Sequence, residues 1–254
     1  MFTNAIVRTP GRSIVGGLSD SKTLGLPNYE QAIIQHQSYI DVLTKCGLDV
    51  LVLEPCEEYP DSTFVEDVAL ITPNCVIITR PGAPSRRGEV HEIEFVLKQK
   101  FNNIEAIEAP GTIEGGDIMM VGDHYYIGLS ERTNIEGAKQ IIQILTKYGM
   151  SGSTIFLNKV LHLKTGLSYL EENNLVVCGE FIKDSSLGGY NRIEIPEKES
   201  YAANCIWVNE SVIIPLGYPT TKQRIKNAGY PVIETDVTEF QKLDGGLSCL
   251  SLRY

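Results

Sequence analysis

The sequence predicts an α/β fold built from one ββαβ unit used five times. Three observations carry this reading. Polar loops bearing glycine or acid begin at roughly 40- to 50-residue intervals, the length of one supersecondary unit. The first four loops, DSTFVED, TIEGGD, HLKTG and YAAN, each feed two short apolar runs joined by a turn dipeptide. A helix pattern often follows, and then another apolar run.

In chain order, AIVRT reads as a strand. The loop at 16–28, GGLSDSKTLGLPN, is rich in glycine and small polar residues and suits a lid. NYEQAIIQHQSYIDVLTKCG reads as the first helix, with Asn28 as N-cap and Gly47 as stop, and DVLVLE as the strand after it. The first repeat loop then leads into VALITPNCVIIT, the helix EVHEIEFVLKQKF and the strand IEAIEA. TIEGGD leads into IMMVGDHYYIG and the helix TNIEGAKQIIQILTKYG. HLKTG feeds LSYLEENNLVV, and YAAN feeds CIWVNESVIIP, the helix PTTKQRIKNAGY and the strand PVIET. The turns PN, GD, EN and NE suit hairpins. A fifth loop, DGGLSC, runs straight into the closing strand. Five such units around an axis would bring their loops together at one end, so chemistry is sought in the loops.

Composition narrows the function. An apolar content of 43% and 21% charge over 254 residues fit a globular chain read as a single domain, 1–254. A net charge of -10 argues against nucleic acid and anionic membrane as partners. MFTNAIVRTP has no basic leader with an apolar core, and no run approaches the ~18 apolar residues of a membrane span. The expectation is a cytoplasmic protein whose six scattered cysteines are reduced thiols. No glycine-rich phosphate loop precedes a suitable helix, so no cofactor is expected, and no metal is required. Monomer and homodimer stay open.

A reactive thiol needs a base or cation nearby. Cys249 lies in the last repeat loop, and of the four histidines only His162 lies in an equivalent loop. His36, His91 and His124 read as solvent-facing. TIEGGD supplies Glu114 and Asp117, of which Glu114 suits the orientation of an imidazole and Asp117 suits turn chemistry. Asp61, Glu66 and Asp67 around a Phe-Val step look like a pocket for a cation. Arg86, Arg87 and Arg132 offer forks for a carboxylate. A substrate with a guanidinium at one end and an amino-acid group at the other answers all of these.

The stretches PDSTFVED, ITRPGAPSRRGE, EAPGTIEGGDIMMVGDHYYIG, ERTNIEGA, KVLHLKTGLSYLE, ESYAANCIWVN and DGGLSCLSLRY closely resemble the bacterial dimethylarginine dimethylaminohydrolases. The resemblance spans essentially the whole chain. It implies a five-bladed α/β propeller of pseudo-fivefold ββαβ repeats. It also implies hydrolysis of Nω,Nω-dimethyl-L-arginine, and of the monomethyl form, to citrulline through a covalent S-alkylthiouronium. Cys249 then matches the nucleophile, His162 the general acid/base and Glu114 the acid that orients it. Asp67 and Glu66 match guanidinium partners, and Arg86 and Arg132 a clamp on the α-carboxylate. Asp61 and the Leu243 carbonyl match acceptors for the α-amine, Leu18 the lid leucine, and Asp244 a neighbour that shapes the site. Two rival readings are a small arginine deiminase, which would release ammonia, and a non-catalytic propeller that binds a protein partner.

Overall fold

The first strand, β1 (Asn4–Arg8), is buried along four of its five residues. Our computed structural model describes residues 1–20 and 22–254; Ser21, inside the segment read as a lid, lies outside the described residues. After β1 come α1 (Tyr29–Lys45) and β2 (Asp49–Leu53). Then follow β3 (Ala69–Ile71), β4 (Val76–Ile78), α2 (Val90–Lys98) and β5 (Ile104–Ala106). The next unit is β6 (Ile118–Val121), β7 (His124–Leu129), α3 (Ile135–Lys147) and β8 (Ser151–Phe156). A one-turn helix α4 (Leu163–Gly166) opens the unit of β9 (Leu167–Tyr169), β10 (Asn174–Val177) and β11 (Asn191–Glu194). The chain ends with β12 (Ile206–Val208), β13 (Ser211–Pro215), α5 (Pro219–Asn227), β14 (Val232–Thr235), the short α6 (Thr238–Gln241) and β15 (Leu252–Arg253).

These strands form five three-stranded sheets with one shared grammar. A hairpin pairs the first two strands antiparallel, and the third returns parallel to the second. In the fifth sheet the hairpin partner of β1 is β15, and β2 is the parallel strand. Burial follows position. The middle strands β4, β10 and β13 are almost wholly buried, whereas the third strands β2, β5 and β8 are half-exposed. A strand flanked on both edges and covered by a helix reads as an unbroken apolar run, as VII and NLVV do.

Local chemistry sets the boundaries. Asn28 Oδ1 accepts the Gln31 amide at 2.9 Å and Asn134 Oδ1 the Gly137 amide at 2.8 Å, each N-cap contributing about 1 kcal/mol. The β6–β7, β9–β10 and β12–β13 hairpins turn on residues of positive φ, Gly122, Asn173 and Asn209. Two expectations change. HLKTG, read as loop, holds α4, and β10 then reaches β11 through the 3-10 turns Gly179–Lys183 and Ser185–Leu187, in a unit where no helix was expected. His36, read as solvent-facing, is 2% exposed. It shares the buried stripe of α1 with Ala32, Gln35, Tyr39 and Leu43.

The chain forms two compact units, Met1–Val65 with Ile195–Tyr254, and Glu66–Glu194. The first holds the sheets of β1 and β13 around a core that includes Ile14, Tyr39, Phe64, Phe240 and Leu247. Full burial of each such side chain stabilises the fold by about 1.5–3 kcal/mol. The second holds the sheets of β4, β7 and β10, with Ile77, Ile127 and Leu145 in one cluster and Leu163, Val177 and Phe181 in another. No helix among the described residues is long and apolar enough to cross a membrane.

Candidate active site

In the second unit, the repeat loops that lead into β3, β6 and β9 bring acids around one imidazole. His162 is the N-cap residue of α4, and its Nε2 lies 2.8 Å from Glu114 Oε2. Asp67 completes the group, since single donor atoms of Asp67, Glu114 and His162 lie within 4.8 Å of one another. Such crowding is possible because Gly115 has no side chain. A Cβ there would come within 2.0 Å of the Glu66 carbonyl oxygen.

Each acid is held separately. Asp67 Oδ1 accepts the Gly116 amide at 3.0 Å, and its Oδ2 accepts Arg86 Nη1 at 2.6 Å. Glu114 Oε1 accepts the Ala83 amide at 3.3 Å and has Arg132 Nη1 at 3.9 Å. Glu66 is ion-paired with Lys164. Asp117, 0% exposed, accepts the Leu163 amide on Oδ1 at 2.9 Å and the Ser130 and Thr133 hydroxyls on Oδ2 at 2.7 and 2.6 Å.

These contacts decide protonation. Burial alone would strip the proton from His162. The charge of Asp117, the hydrogen bond with Glu114 and the charge of Asp67 outweigh it and lift the imidazole to about 9. Burial likewise opposes the Asp67 carboxylate, but Arg86 and His162 beside it keep its pKa below the usual value. For Asp117 burial dominates and raises the pKa, with the His162 charge and the three donors working against it. Two carboxylates and one imidazole have the composition of a divalent-metal donor set. An imidazolium offers no lone pair to a metal, and in that protonated form the same group is suited to proton transfer.

Arg86 differs from its expectation in one respect. It is 5% exposed, and its Nε and Nη2 grip both oxygens of Glu89 at 3.0 and 2.8 Å while Nη1 holds Asp67. Arg132 is more open, its side chain 19% exposed. Arg87 donates to the Pro81 carbonyl and stands outside this group. His124 bonds Ser151 and Ser153, and His91 is exposed.

In the first unit, the loop 244–251 presents Cys249, 8% exposed, from a 3-10 turn, Ser248–Leu250. The Gly246 amide donates to its Sγ at 3.4 Å, a contact that favours the thiolate. Three side chains hold this loop from outside. Asn204 accepts the Ser248 amide at 3.0 Å and donates to its hydroxyl at 3.1 Å. Tyr39 donates to the Leu247 carbonyl at 2.9 Å, and Tyr201 to the Gly245 carbonyl at 2.8 Å. A Cβ on Gly246 would meet Asn204 at 2.5 Å, so the loop passes too close for any larger residue. Buried Asp61 accepts the Leu18 amide on Oδ1 at 2.9 Å, and Leu18 itself is 39% exposed. Asp244, at φ 58°, accepts the Asp20 amide at 2.6 Å, and Leu243 next to it is buried.

Sequence reading did not find Glu89, Lys164, Asn204, Tyr39 or Tyr201, and it gave Asp117 to turn chemistry. A signal existed for two of them. Glu89 stands three residues beyond Arg86, and Asn204 closes the repeat loop YAAN.

Known proteins with this geometry are close at hand. The family model described as "N,N dimethylarginine dimethylhydrolase, eukaryotic" matches residues 26–250. The N(G),N(G)-dimethylarginine dimethylaminohydrolase of Pseudomonas aeruginosa is 58% identical over the full length of both chains. That of Streptomyces coelicolor is 30% identical, covering 98% of this chain and 96% of its own. Among solved structures, the Pseudomonas aeruginosa enzyme as a C249S mutant complexed with citrulline superposes with a TM-score of 0.99, at 58% identity and full coverage of both chains. An H162G dimethylarginine dimethylaminohydrolase adduct with S-methyl-L-thiocitrulline gives 0.98, again at 58% identity and full coverage. The matched span carries every loop that holds the acids, His162 and Cys249, and by that measure this chain belongs to the dimethylarginine dimethylaminohydrolase family.

Proposed function

We propose that this protein hydrolyses Nω,Nω-dimethyl-L-arginine to L-citrulline and dimethylamine, and the monomethyl form to citrulline and methylamine. The observation that carries the reading is the Glu114–His162 pair, which stores a proton on an imidazole with a pKa of about 9 in a nest of acids. A leaving dialkylamine needs that proton. The relatives support the cysteine, since one binds citrulline as a C249S mutant and another forms an adduct as an H162G mutant.

The five sheets, on this reading, close around one axis as a propeller and act as one catalytic domain, which sets Cys249 opposite His162. The guanidinium lies against Asp67, Glu66 and Glu114. Its charge favours the Cys249 thiolate, which already receives the Gly246 amide. Sulfur attacks the guanidinium carbon, and a C–S bond forms. The C–N bond to the dimethylated nitrogen breaks as His162 delivers its proton there, which leaves an S-alkylthiouronium. Neutral His162 then takes a proton from water. The C–O bond forms, and the hydroxyl proton of the tetrahedral adduct passes to solvent, where the released amine takes up one proton. The C–S bond breaks with its electron pair on sulfur, and the thiolate returns with citrulline released.

At the far end, Asp61 and the Leu243 carbonyl take the α-amine, while Leu18 covers the site and Asp244 shapes it. Arg132 and Arg86 take the α-carboxylate, Arg86 from a position fixed by Glu89 and Asp67. Thiolate chemistry of this kind suits a reducing compartment such as the cytosol. The deciding assay offers dimethylarginine, monomethylarginine and arginine together and reads citrulline against dimethylamine, methylamine and ammonia. Equimolar citrulline and dimethylamine, abolished in Cys249→Ser, is the expected result. Arginine as the preferred substrate, with ammonia released, would transfer the protein to the deiminase reading.

A further inference from the structure

Asp117 is the most deeply buried acid of the second unit, and its bonds lead to three site residues at once. Its Oδ1 fixes the Leu163 amide, so it anchors the peptide that follows His162. The Thr133 hydroxyl donates to Oδ2 and accepts the Glu114 amide at 3.2 Å. The Ser130 hydroxyl donates to the same oxygen and accepts the amides of Arg132 at 3.0 Å and Thr133 at 3.1 Å. The backbone of Gly128 leaves room for the carboxylate, since a Cβ there would lie 3.1 Å from Oδ1.

We propose that Asp117 is a positioning residue for catalysis: it sets the orientation and protonation of His162 and, through Thr133 and Ser130, places Glu114 and Arg132. The proposal rests on the reading of His162 as the proton donor. Turn chemistry alone would use one oxygen and a local amide. Here both oxygens are engaged by groups from two other loops, 130–133 and 163.

Other charges face His162 within this unit and set the comparison. Asp67 is tied to Arg86, and Arg86 to Glu89. Glu66 is tied to Lys164, and Glu114 stands between His162 and Arg132. Asp117 is the acid among them whose oxygens are engaged by an amide and two hydroxyls in the bonds described above, with no cation among those partners. Its charge is therefore the least cancelled before it reaches the imidazole.

The test reads the resting protein, so it stands whether or not the hydrolase assay succeeds. Imidazole-labelled wild type and Asp117→Asn are titrated by NMR, the four histidines being resolved by His→Gln variants. The expected result is a His162 midpoint lower by at least ~1 pH unit in Asp117→Asn, a tenfold change in proton affinity. The alkaline limb of kcat should move by the same amount with KM little changed. An unchanged His162 midpoint would overturn the proposal. A second pair does not depend on Asp117→Asn folding. Thr133→Val keeps the charge but cuts the link to Glu114, and should lower kcat by ~10-fold or more at an unaltered His162 midpoint, while Thr133→Ser restores it. Equal kcat in wild type and Thr133→Val would overturn the relay.

Discussion

In the proposed mechanism His162 keeps a proton until the amine leaves and then gives it up, and its surroundings decide how far the first demand is met. The folded protein holds that proton up to about pH 9, the unfolded chain to its ordinary value near 6.5. The stabilisation, on the order of 3 kcal/mol, is therefore fully present below ~pH 6.5 and is lost as pH rises through 9. Urea midpoints of wild type and His162→Gln should differ most near pH 6 and converge by pH 10. A gap that stays constant with pH would remove the linkage. Arg132 makes a different prediction, because the α-carboxylate proposed as its partner is remote from the reacting carbon. Arg132→Ala should raise KM for methylarginines by ~10-fold or more and leave small amidines that lack a carboxylate nearly unaffected. Equal losses for both would make Arg132 a structural residue. The meeting of Glu114 with His162 was legible in the sequence because each is a reactive type standing in a repeat loop. Glu89, Asn204 and Asp117 were not, because they act through another side chain or an amide, and a bond between loops 44 residues apart, as from Asn204 to Ser248, leaves no mark of spacing.

At the scale of elements, α1 shows where periodicity was readable and was passed over. Ala32, Gln35, His36, Tyr39 and Leu43 fall at helical spacing on one buried face, so His36 belongs to the apolar stripe despite its type. Its ring lies 6.3 Å from that of Phe240 on α6, and its Nε2 has no hydrogen-bond partner among the described residues. Burial pushes its pKa down to about 4. The sign is the reverse of His162. The neutral ring contributes stability above ~pH 6.5, and that contribution is lost as pH falls through 4. His36→Leu should thus flatten the decline of melting temperature between pH 6.5 and 4.5, while an unchanged acid slope would place the sensitivity elsewhere. The helix ends were legible from Asn28 and Asn134, whose side chains cap as read. The one-turn α4 was not, since four residues make too little periodic pattern to separate from a loop.

At the scale of the whole molecule, the third strands β8 (SGSTIF) and β11 (NRIE) escaped the sequence reading, being poor in apolar residues, while the hairpins were readable from turn dipeptides and loop spacing, because each is built from neighbouring runs. The exception is the sheet that joins β15 to β1, whose partners lie at opposite ends of the sequence. Backbone bonds continue that pairing to the ends: the Thr3 and Asn4 amides donate to the Tyr254 carbonyl at 2.9 and 2.8 Å, and the Tyr254 amide donates to Asn4 at 3.0 Å. The first and last strands of this sequence are thus held together by main-chain bonds, close enough for a short linker to join them. A circular permutant that joins Tyr254 to Met1 by a short glycine-rich linker and opens at the exposed Gly122–Asp123 turn should fold with the same circular-dichroism spectrum and keep turnover within ~10-fold of wild type. Loss of the fold would show that the native starting point matters to assembly. Cys249 lies on the 3-10 turn directly before β15, so the pairing of β15 with β1 ties its loop to the other end of the sequence; in the permutant that arm is covalently held from the outset, and its seating should no longer wait for the slow meeting of distant ends.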